Sequence, residues 1–96
     1  MKATLVFWHK DRRQDGVILE LKIHEVAVST QYPDGLKYRL ICKNLASGKL
    51  VLMDNHHPKG HHVHLDDSES IYLFRGLDAL MDDFTALVHG HLGVKI

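Results

Sequence analysis

The 96-residue sequence has one cysteine, no excess of either charge and no long apolar run. One cysteine excludes an internal disulfide. Cys42 lies in the alternating apolar run YRLICK, which favours a buried and unreactive thiol. No internal repeat or low-complexity segment is present, so neither a solenoid nor a disordered linker is expected. The length suits one folding unit, and we predict a single domain over residues 1–96.

Charge and hydropathy argue against two further classes of protein. Twelve lysines and arginines balance twelve acidic residues, which argues against a protein that coats nucleic acid unspecifically. No apolar run approaches the roughly 20 residues that span a bilayer, so we expect no membrane partner. The opening MKATLVFWHK is too short and too interrupted for an export signal, which favours the cytoplasm.

Alternation of apolar and polar residues predicts four strands in the first half of the chain. Turn sequences separate these strands. The polar connection 9–16 ends in Asp-Gly, the next turn contains Pro-Asp-Gly, and the third is Ala-Ser-Gly. Successive hairpins of this kind indicate an antiparallel meander. The strands are predicted over residues 3–8, 17–24, 36–44 and 49–54.

A helical period replaces the alternation near the C-terminus. A short strand is predicted over residues 70–74. Gly76 then opens a helix, and Gly93 ends it. Apolar residues recur at three- and four-residue spacing along one stripe, which predicts that the helix packs on a sheet face. The stripe consists of Leu77, Leu80, Met81, Phe84, Leu87, Val88 and His91.

These patterns together predict an α+β fold: an antiparallel five- to six-stranded sheet (a β-meander) with one C-terminal helix packed on one face. One helix covers only one face of such a sheet. The apolar residues Val6, Trp8 and Ile41 on the alternate face should therefore stay exposed. Exposed apolar surface of this kind is typical of an interface, either in a homodimer or with another protein.

Five of the nine histidines lie in the stretch DNHHPKGHHVHLDD. Side chains two residues apart on a strand point to the same side of the sheet. If Val63 and Leu65 face the core, His62 and His64 stand together on the open face. Asp66 has the same parity and is expected to continue their row.

Three hypotheses account for this histidine-rich stretch. Two imidazoles can act as general acid and base. With Lys59 or Arg39 to stabilise an anionic transition state, they suffice for metal-independent RNA cleavage through the RNA's own 2′-hydroxyl. Alternatively, a His-x-His pair can hold a divalent ion such as Zn²⁺. The third hypothesis is a solvated or pH-sensitive contact surface. The ligands predicted for the metal alternative are His62, His64, His57 and Asp54.

The sequence resembles the TumE-type toxins of prokaryotic type II toxin–antitoxin systems over nearly its whole length. The opening MKATLVF, the Asp15-Gly16 turn, the strand KYRL at residues 37–40 and LMDDF at residues 80–84 all fit that family. The most specific part is a DN…KG-x-H-x-H run. This chain departs from the family pattern at His61 and Val63. The residues that match the run are Asp54, Asn55, Lys59, Gly60, His62 and His64.

The resemblance implies a cytoplasmic toxin that inhibits growth when its antitoxin is removed, the antitoxin usually carrying a helix-turn-helix domain. On the leading hypothesis the toxin is an endoribonuclease that needs no cofactor and has RNA as its substrate. The alternatives are a non-catalytic module that captures a protein or nucleic-acid partner, and a metal-dependent hydrolase. His62 and His64 would be acid and base, with Lys59 and Arg39 on the phosphate. The predicted substrate-binding residues are Tyr38, Asp54, Asn55 and Gly60.

Overall fold

The computed structural model describes residues 3–96, which form a six-stranded antiparallel sheet and one helix. Each strand pairs with its neighbours in the sequence, in the order β1-β2-β3-β4-β5-β6, so the predicted β-meander is confirmed. The elements are β1 Thr4–Arg12, β2 Val17–Glu25, β3 Leu36–Asn44, β4 Leu50–Asp54, β5 His62–Leu65, β6 Ser68–Ile71 and α1 Leu77–Leu92.

The core lies between α1 and one face of the sheet, as the alternation in the sequence predicts. Alternate residues of β2, β3 and β4 point to this face because side chains of a strand alternate between its two sides. The helix packs on β3 and β4 through Leu80, Phe84 and Val88, which are fully buried. The sheet contributes Val17, Leu19, Leu21, Ile23, Tyr38, Leu40, Cys42, Val51 and Met53.

The helix ends where the sequence predicts. Gly93 adopts a left-handed conformation at φ 71°, and its N–H donates to the His89 carbonyl at 2.9 Å. A residue with a Cβ atom rarely adopts this conformation, so glycine stops the helix while satisfying one of its last carbonyls. Among residues 3–96 no helix is long and apolar enough to cross a membrane.

The first strand is longer than predicted. Residues 9–12, expected in a polar connection, continue β1 to Arg12 and pair with β2. An edge strand forms backbone hydrogen bonds with its one neighbour whatever its side chains are. Both faces of β1 are exposed, so its polar side chains stay in water and lose little solvation free energy. A bulge at Val6, between the pairs Leu5–His24 and Phe7–Ile23, places Leu5 and Trp8 on the same open face.

The last strand begins earlier than predicted, because β5 and β6 are joined by the two residues Asp66 and Asp67. Asp66 adopts φ 57°, and its carboxylate accepts a hydrogen bond from the Leu50 N–H at 2.8 Å. An aspartate tolerates this left-handed conformation better than most residues. Asp66 therefore lies in the turn, and the prediction that it continues the row of His62 and His64 is wrong.

Asp83 of α1 holds the segment between β6 and the helix. Its carboxylate accepts hydrogen bonds from the Tyr72 hydroxyl at 2.6 Å and from Arg75 Nη2 at 2.7 Å. These two bonds hold the pKa of Asp83 below its ordinary value. Burial and the bond to Asp83 raise the pKa of Tyr72 to about 12. The Arg75–Asp83 ion pair and the Tyr72–Asp83 hydrogen bond together hold the segment between β6 and α1 against the helix.

Replacing Asp83 with asparagine should lower the free energy of unfolding near neutral pH. The folded-state pKa is depressed, so the carboxylate stabilises the fold above the ordinary aspartate pKa of about 3.9 and loses this effect as the pH falls through its lower folded value. The difference between wild type and Asp83→Asn should therefore shrink below pH ~4, as measured by urea unfolding. Asp82→Asn, at an exposed neighbouring position, is the control; an equal effect of both substitutions would contradict the assignment.

Candidate functional site

The open face of the sheet, which α1 does not cover, carries the histidine pair. Strand register places Arg39, Asp54 and His62 in one cross-strand row, while His64 lies in the next row beside Leu52. A cleft of about 550 Å³ lies over these rows. Its lining consists of Lys37, Tyr38, Arg39, Asp54, His56, Pro58, Lys59, His62 and His64.

His62 is the buried member of the pair, with 6% of its surface exposed. Its Nδ1–H donates to the Gly60 carbonyl at 2.8 Å, because a carbonyl oxygen only accepts. Its Nε2 lies 3.0 Å from Oδ1 of Asp54, the residue opposite it on β4. Both ring nitrogens thus have fixed neighbours, which set the orientation of the ring.

His64 is half-buried and stands beside His62 in the cleft. The two rings meet edge to face, with centroids 4.8 Å apart and planes at 79°. Among residues 3–96, polar contacts orient the ring of His62, whereas the ring of His64 is placed by its packing against His62. His64 is therefore the member whose nitrogens are available to a bound molecule.

Glu69 is a site residue that the sequence did not reveal. It lies opposite His64 on β6, and its carboxylate accepts hydrogen bonds from Lys59 Nζ at 2.9 and 3.0 Å. The bond to Lys59 holds the pKa of Glu69 below its ordinary value. Only the pairing of β5 with β6 brings Glu69 to the histidines, and the sequence does not give that pairing.

A metal ion would find three donors at this point. One donor atom each of His62, His64 and Glu69 lies within 4.8 Å of the others. Two imidazoles and a carboxylate form a donor set that Zn²⁺ uses in catalytic sites. Asp54 and His57, the other two predicted ligands, lie outside this group, and Glu69 takes the place predicted for them.

Within residues 3–96, two cations of the cleft are placed to meet an anion. Lys37 and Arg39 line it from β3, and the Arg39 guanidinium lies 4.0 Å from a Glu20 carboxylate oxygen. Half of the Arg39 side chain is exposed, so this contact is a weak surface pair. Lys59 also lines the cleft, but its ammonium is held by Glu69.

The hydroxyl of Tyr38 is not part of this cleft, because its side chain points to the core face with Leu40 and Cys42. The hydroxyl lies 2.8 Å from Nδ1 of His61, and His61 Nε2 lies 2.8 Å from an Asp34 carboxylate oxygen. The carboxylate only accepts, so Nε2 donates to Asp34 and Nδ1 accepts from the phenol. Burial raises the pKa of Tyr38 above its ordinary value, consistent with a phenol that keeps its proton.

His61 therefore does a different task from the other histidines of its stretch. It stacks on Phe74 with ring centroids 4.6 Å apart and ties the Asp34 turn to the core. Its inward parity is the signal in the sequence that separates it from His62 and His64.

Asn55 and Gly60 support the site from behind. The Asn55 side chain accepts from the Tyr38 N–H at 2.9 Å and donates to the Leu36 carbonyl at 2.7 Å, extending the contact between β4 and β3. Gly60 adopts φ 73°, a conformation that residues with a Cβ atom rarely take, and presents its carbonyl to His62. Asn55 thus holds the end of β4, which carries Asp54, against β3, and Gly60 orients the ring of His62 on β5.

A family model described as Toxin TumE matches residues 2–92 of the chain. Searches of the curated proteins and of the solved structures found no match.

Proposed function

Because the chain belongs to the TumE toxin family, we propose that this toxin of a toxin–antitoxin system acts as a metal-independent endoribonuclease. The observation that carries the proposal is the placement of two histidines, with ring centroids 4.8 Å apart, in a cleft that Lys37 and Arg39 also line. A proton acceptor, a proton donor and cations for a phosphate are the groups that RNA cleavage requires.

His64 accepts the proton of the RNA 2′-hydroxyl in this mechanism. The 2′-oxygen then forms a bond to the adjacent phosphorus, and the bond from phosphorus to the 5′-oxygen breaks. His62 gives its Nε2 proton to the departing oxygen, and that proton leaves the Asp54 carboxylate in this step, because the Nδ1 proton is committed to the Gly60 carbonyl. Arg39 and Lys37 stabilise the charge on the phosphate. The products are a 2′,3′-cyclic phosphate and a 5′-hydroxyl.

Asp54 positions the acid. Its carboxylate lies 3.0 Å from His62 Nε2 and also accepts a hydrogen bond from the His56 N–H at 3.2 Å. This arrangement fixes the carboxylate and, through it, the ring. In acid–base catalysis the group that orients an imidazole contacts the nitrogen opposite the reacting one, and here the Gly60 carbonyl at Nδ1 has that place.

Metal-dependent hydrolysis at the same residues is the second candidate, and Glu69 is the observation that favours it. With Glu69, the histidine pair becomes a three-donor set. The two candidates differ in the role of the 2′-hydroxyl, since a metal held by His62, His64 and Glu69 would supply an activated water and would make the 2′-hydroxyl unnecessary.

Product chemistry separates these candidates. The purified protein should cleave a molar excess of RNA in EDTA, and the fragments should end in 2′,3′-cyclic phosphate. An oligonucleotide with deoxyribose at every position should remain intact. Loss of cleavage in EDTA that one divalent ion restores would instead establish the metal-dependent hydrolase.

Turnover separates both enzymes from a module that acts by capture. An enzyme stops growth and consumes substrate below stoichiometry, whereas a binder needs one molecule for each target. RNA that is retained by the wild type but never cut, in the presence or absence of divalent ions, would establish capture.

The family also implies a cognate antitoxin as partner. Co-expression of the antitoxin should restore growth. We propose that it does so by covering the cleft, since the cleft faces solvent on the side of the sheet that the helix leaves free. The antitoxin should then protect Lys37 and Arg39 from chemical modification in the complex.

A further inference from the structure

Cross-strand neighbours on the open face form a row that begins at the edge of the sheet and ends at the histidine pair. The register of the strands places Trp8 beside Lys22, Lys22 beside Arg39, Arg39 beside Asp54 and Asp54 beside His62. Neighbouring strands are about 4.8 Å apart, so the row from β1 to β5 spans roughly 19 Å.

Positive charge accumulates on this face although the whole chain has no net charge. The open-face positions of β1, β2 and β3 hold six cationic side chains and one carboxylate, that of Glu20. We call these six cations the basic track. It consists of Lys10, Arg12, Lys22, Lys37, Arg39 and Lys43.

The basic track connects with the cleft of the histidine pair. A second cleft of about 290 Å³ is lined by Ala3, Lys22, His24, Lys37, Tyr38 and Arg39. Lys37 and Arg39 line both clefts, so the path from the histidines towards β1 is continuous. A polyanion that reaches His64 therefore meets Arg39 and Lys22 as it crosses the sheet.

Trp8 stands at the far end of the row with 56% of its surface exposed, beside exposed Leu5. An exposed indole on a cationic sheet provides a stacking surface for a base, and stacking of this kind tolerates any sequence. Stacking requires a base that is free of its duplex, so the surface suits a single strand. The side chain of Tyr38, a predicted substrate-binding residue, is buried on the other face.

We propose that the basic track binds single-stranded RNA, with phosphates on Lys22 and Arg39 and one base stacked on Trp8. This inference rests on the proposed function, because it names the form of RNA that the site takes and the path it follows. The bound strand would run from the scissile phosphate at the histidines to the edge strand β1.

Trp8 is the one tryptophan of the chain, so its fluorescence reports binding directly. Titration of the His64→Ala variant with an RNA of about eight nucleotides, within the site sizes of single-strand-binding folds, should quench this fluorescence. A fully 2′-deoxy strand should also bind, since phosphates and stacking supply the affinity. Affinity should fall steeply as salt is raised.

Single substitutions show where the bound RNA lies on the sheet. Fluorescence anisotropy of a labelled RNA measures the affinity of each variant. Trp8→Ala should weaken binding roughly tenfold, while Trp8→Phe should keep most of the affinity because it retains an aromatic face. Lys22→Ala should weaken binding and reduce the salt dependence by about one phosphate contact. Phe7→Ala and Lys95→Ala are the controls, because Phe7 pairs with Ile23 on the core face and Lys95 follows the helix.

Equal binding by the Trp8→Ala and Phe7→Ala variants would overturn the proposal. So would duplex RNA that binds as tightly as the single strand. An acidic peptide that binds equally well and is released by the same substitutions would assign the face to a protein partner. If single-stranded RNA binds to the wild type as predicted but is never cut, the endoribonuclease proposal is wrong and this inference stands.

Discussion

Replacement of His64 with alanine should abolish growth inhibition and lower RNA cleavage by roughly 10²–10⁴-fold, the usual contribution of a general acid or base. His64 is the member of the pair with available ring nitrogens, so its loss removes a proton acceptor without disturbing buried contacts. The variant should therefore be soluble and unfold at the wild-type urea concentration. Single-turnover cleavage assays and growth after induced expression measure the two effects.

His62→Ala is a less clean test of the same chemistry. His62 is buried, and its removal leaves the Gly60 carbonyl and Asp54 without their neighbour, so stability falls as well as activity. His89→Ala, at an exposed position of α1, controls for the loss of a histidine as such. If His62 and His64 act in one step as proposed, the double variant should be little worse than His64→Ala alone. Full cleavage by that double variant would eliminate the proposed chemistry.

Replacement of Phe84 with alanine should lower the free energy of unfolding by about 3–5 kcal/mol. Phe84 is fully buried in the centre of the interface between α1 and the sheet. Its removal loses the transfer free energy of the ring and leaves a cavity that β3 and β4 cannot collapse to fill. Small domains are stable by only about 5–15 kcal/mol, so a large part of the stability is lost.

The matched control is Phe7→Ala, because Phe7 is 44% exposed on the edge strand. This substitution should cost about 1 kcal/mol or less. Urea unfolding followed by far-ultraviolet circular dichroism measures both variants, and the midpoint should move far more for Phe84→Ala. Similar midpoints for the two variants would show that α1 is not packed on the sheet through this ring.

Balanced charge in a sequence does not mean balanced charge on each surface. Composition argues against an unspecific nucleic-acid coat, yet the open face of β1, β2 and β3 carries the six cations of the basic track. Asp11 and Glu25 lie on the core face of β1 and β2, while Lys10 and Lys22 lie on the open face. The two-residue period of a strand sorts charges by parity, which the overall count cannot show.

The fold followed from local patterns because those patterns carry the physics that forms it. Alternation in residues 17–24 and the helical stripe around Phe84 both mark surfaces that must leave water. The Asp-Gly and Pro-Asp-Gly turns are short enough to join strands only as antiparallel neighbours. The ends of elements do not follow from these patterns, as the extension of β1 to Arg12 shows, because a strand on the edge of a sheet needs no apolar pattern.

The sequence by itself determined the meander, the helix and the common side of His62 and His64, because parity along one strand is a local property. Only the tertiary structure decided what stands opposite them: Asp54 and Glu69 from the flanking strands, and Trp8 at the end of the row. Alternation specifies which face a residue takes, but it does not specify the alignment of one strand with the next. Turn geometry sets the alignment of neighbouring strands, and the bulge at Val6 shifts that of β1 with β2, so alternation in the sequence does not give it.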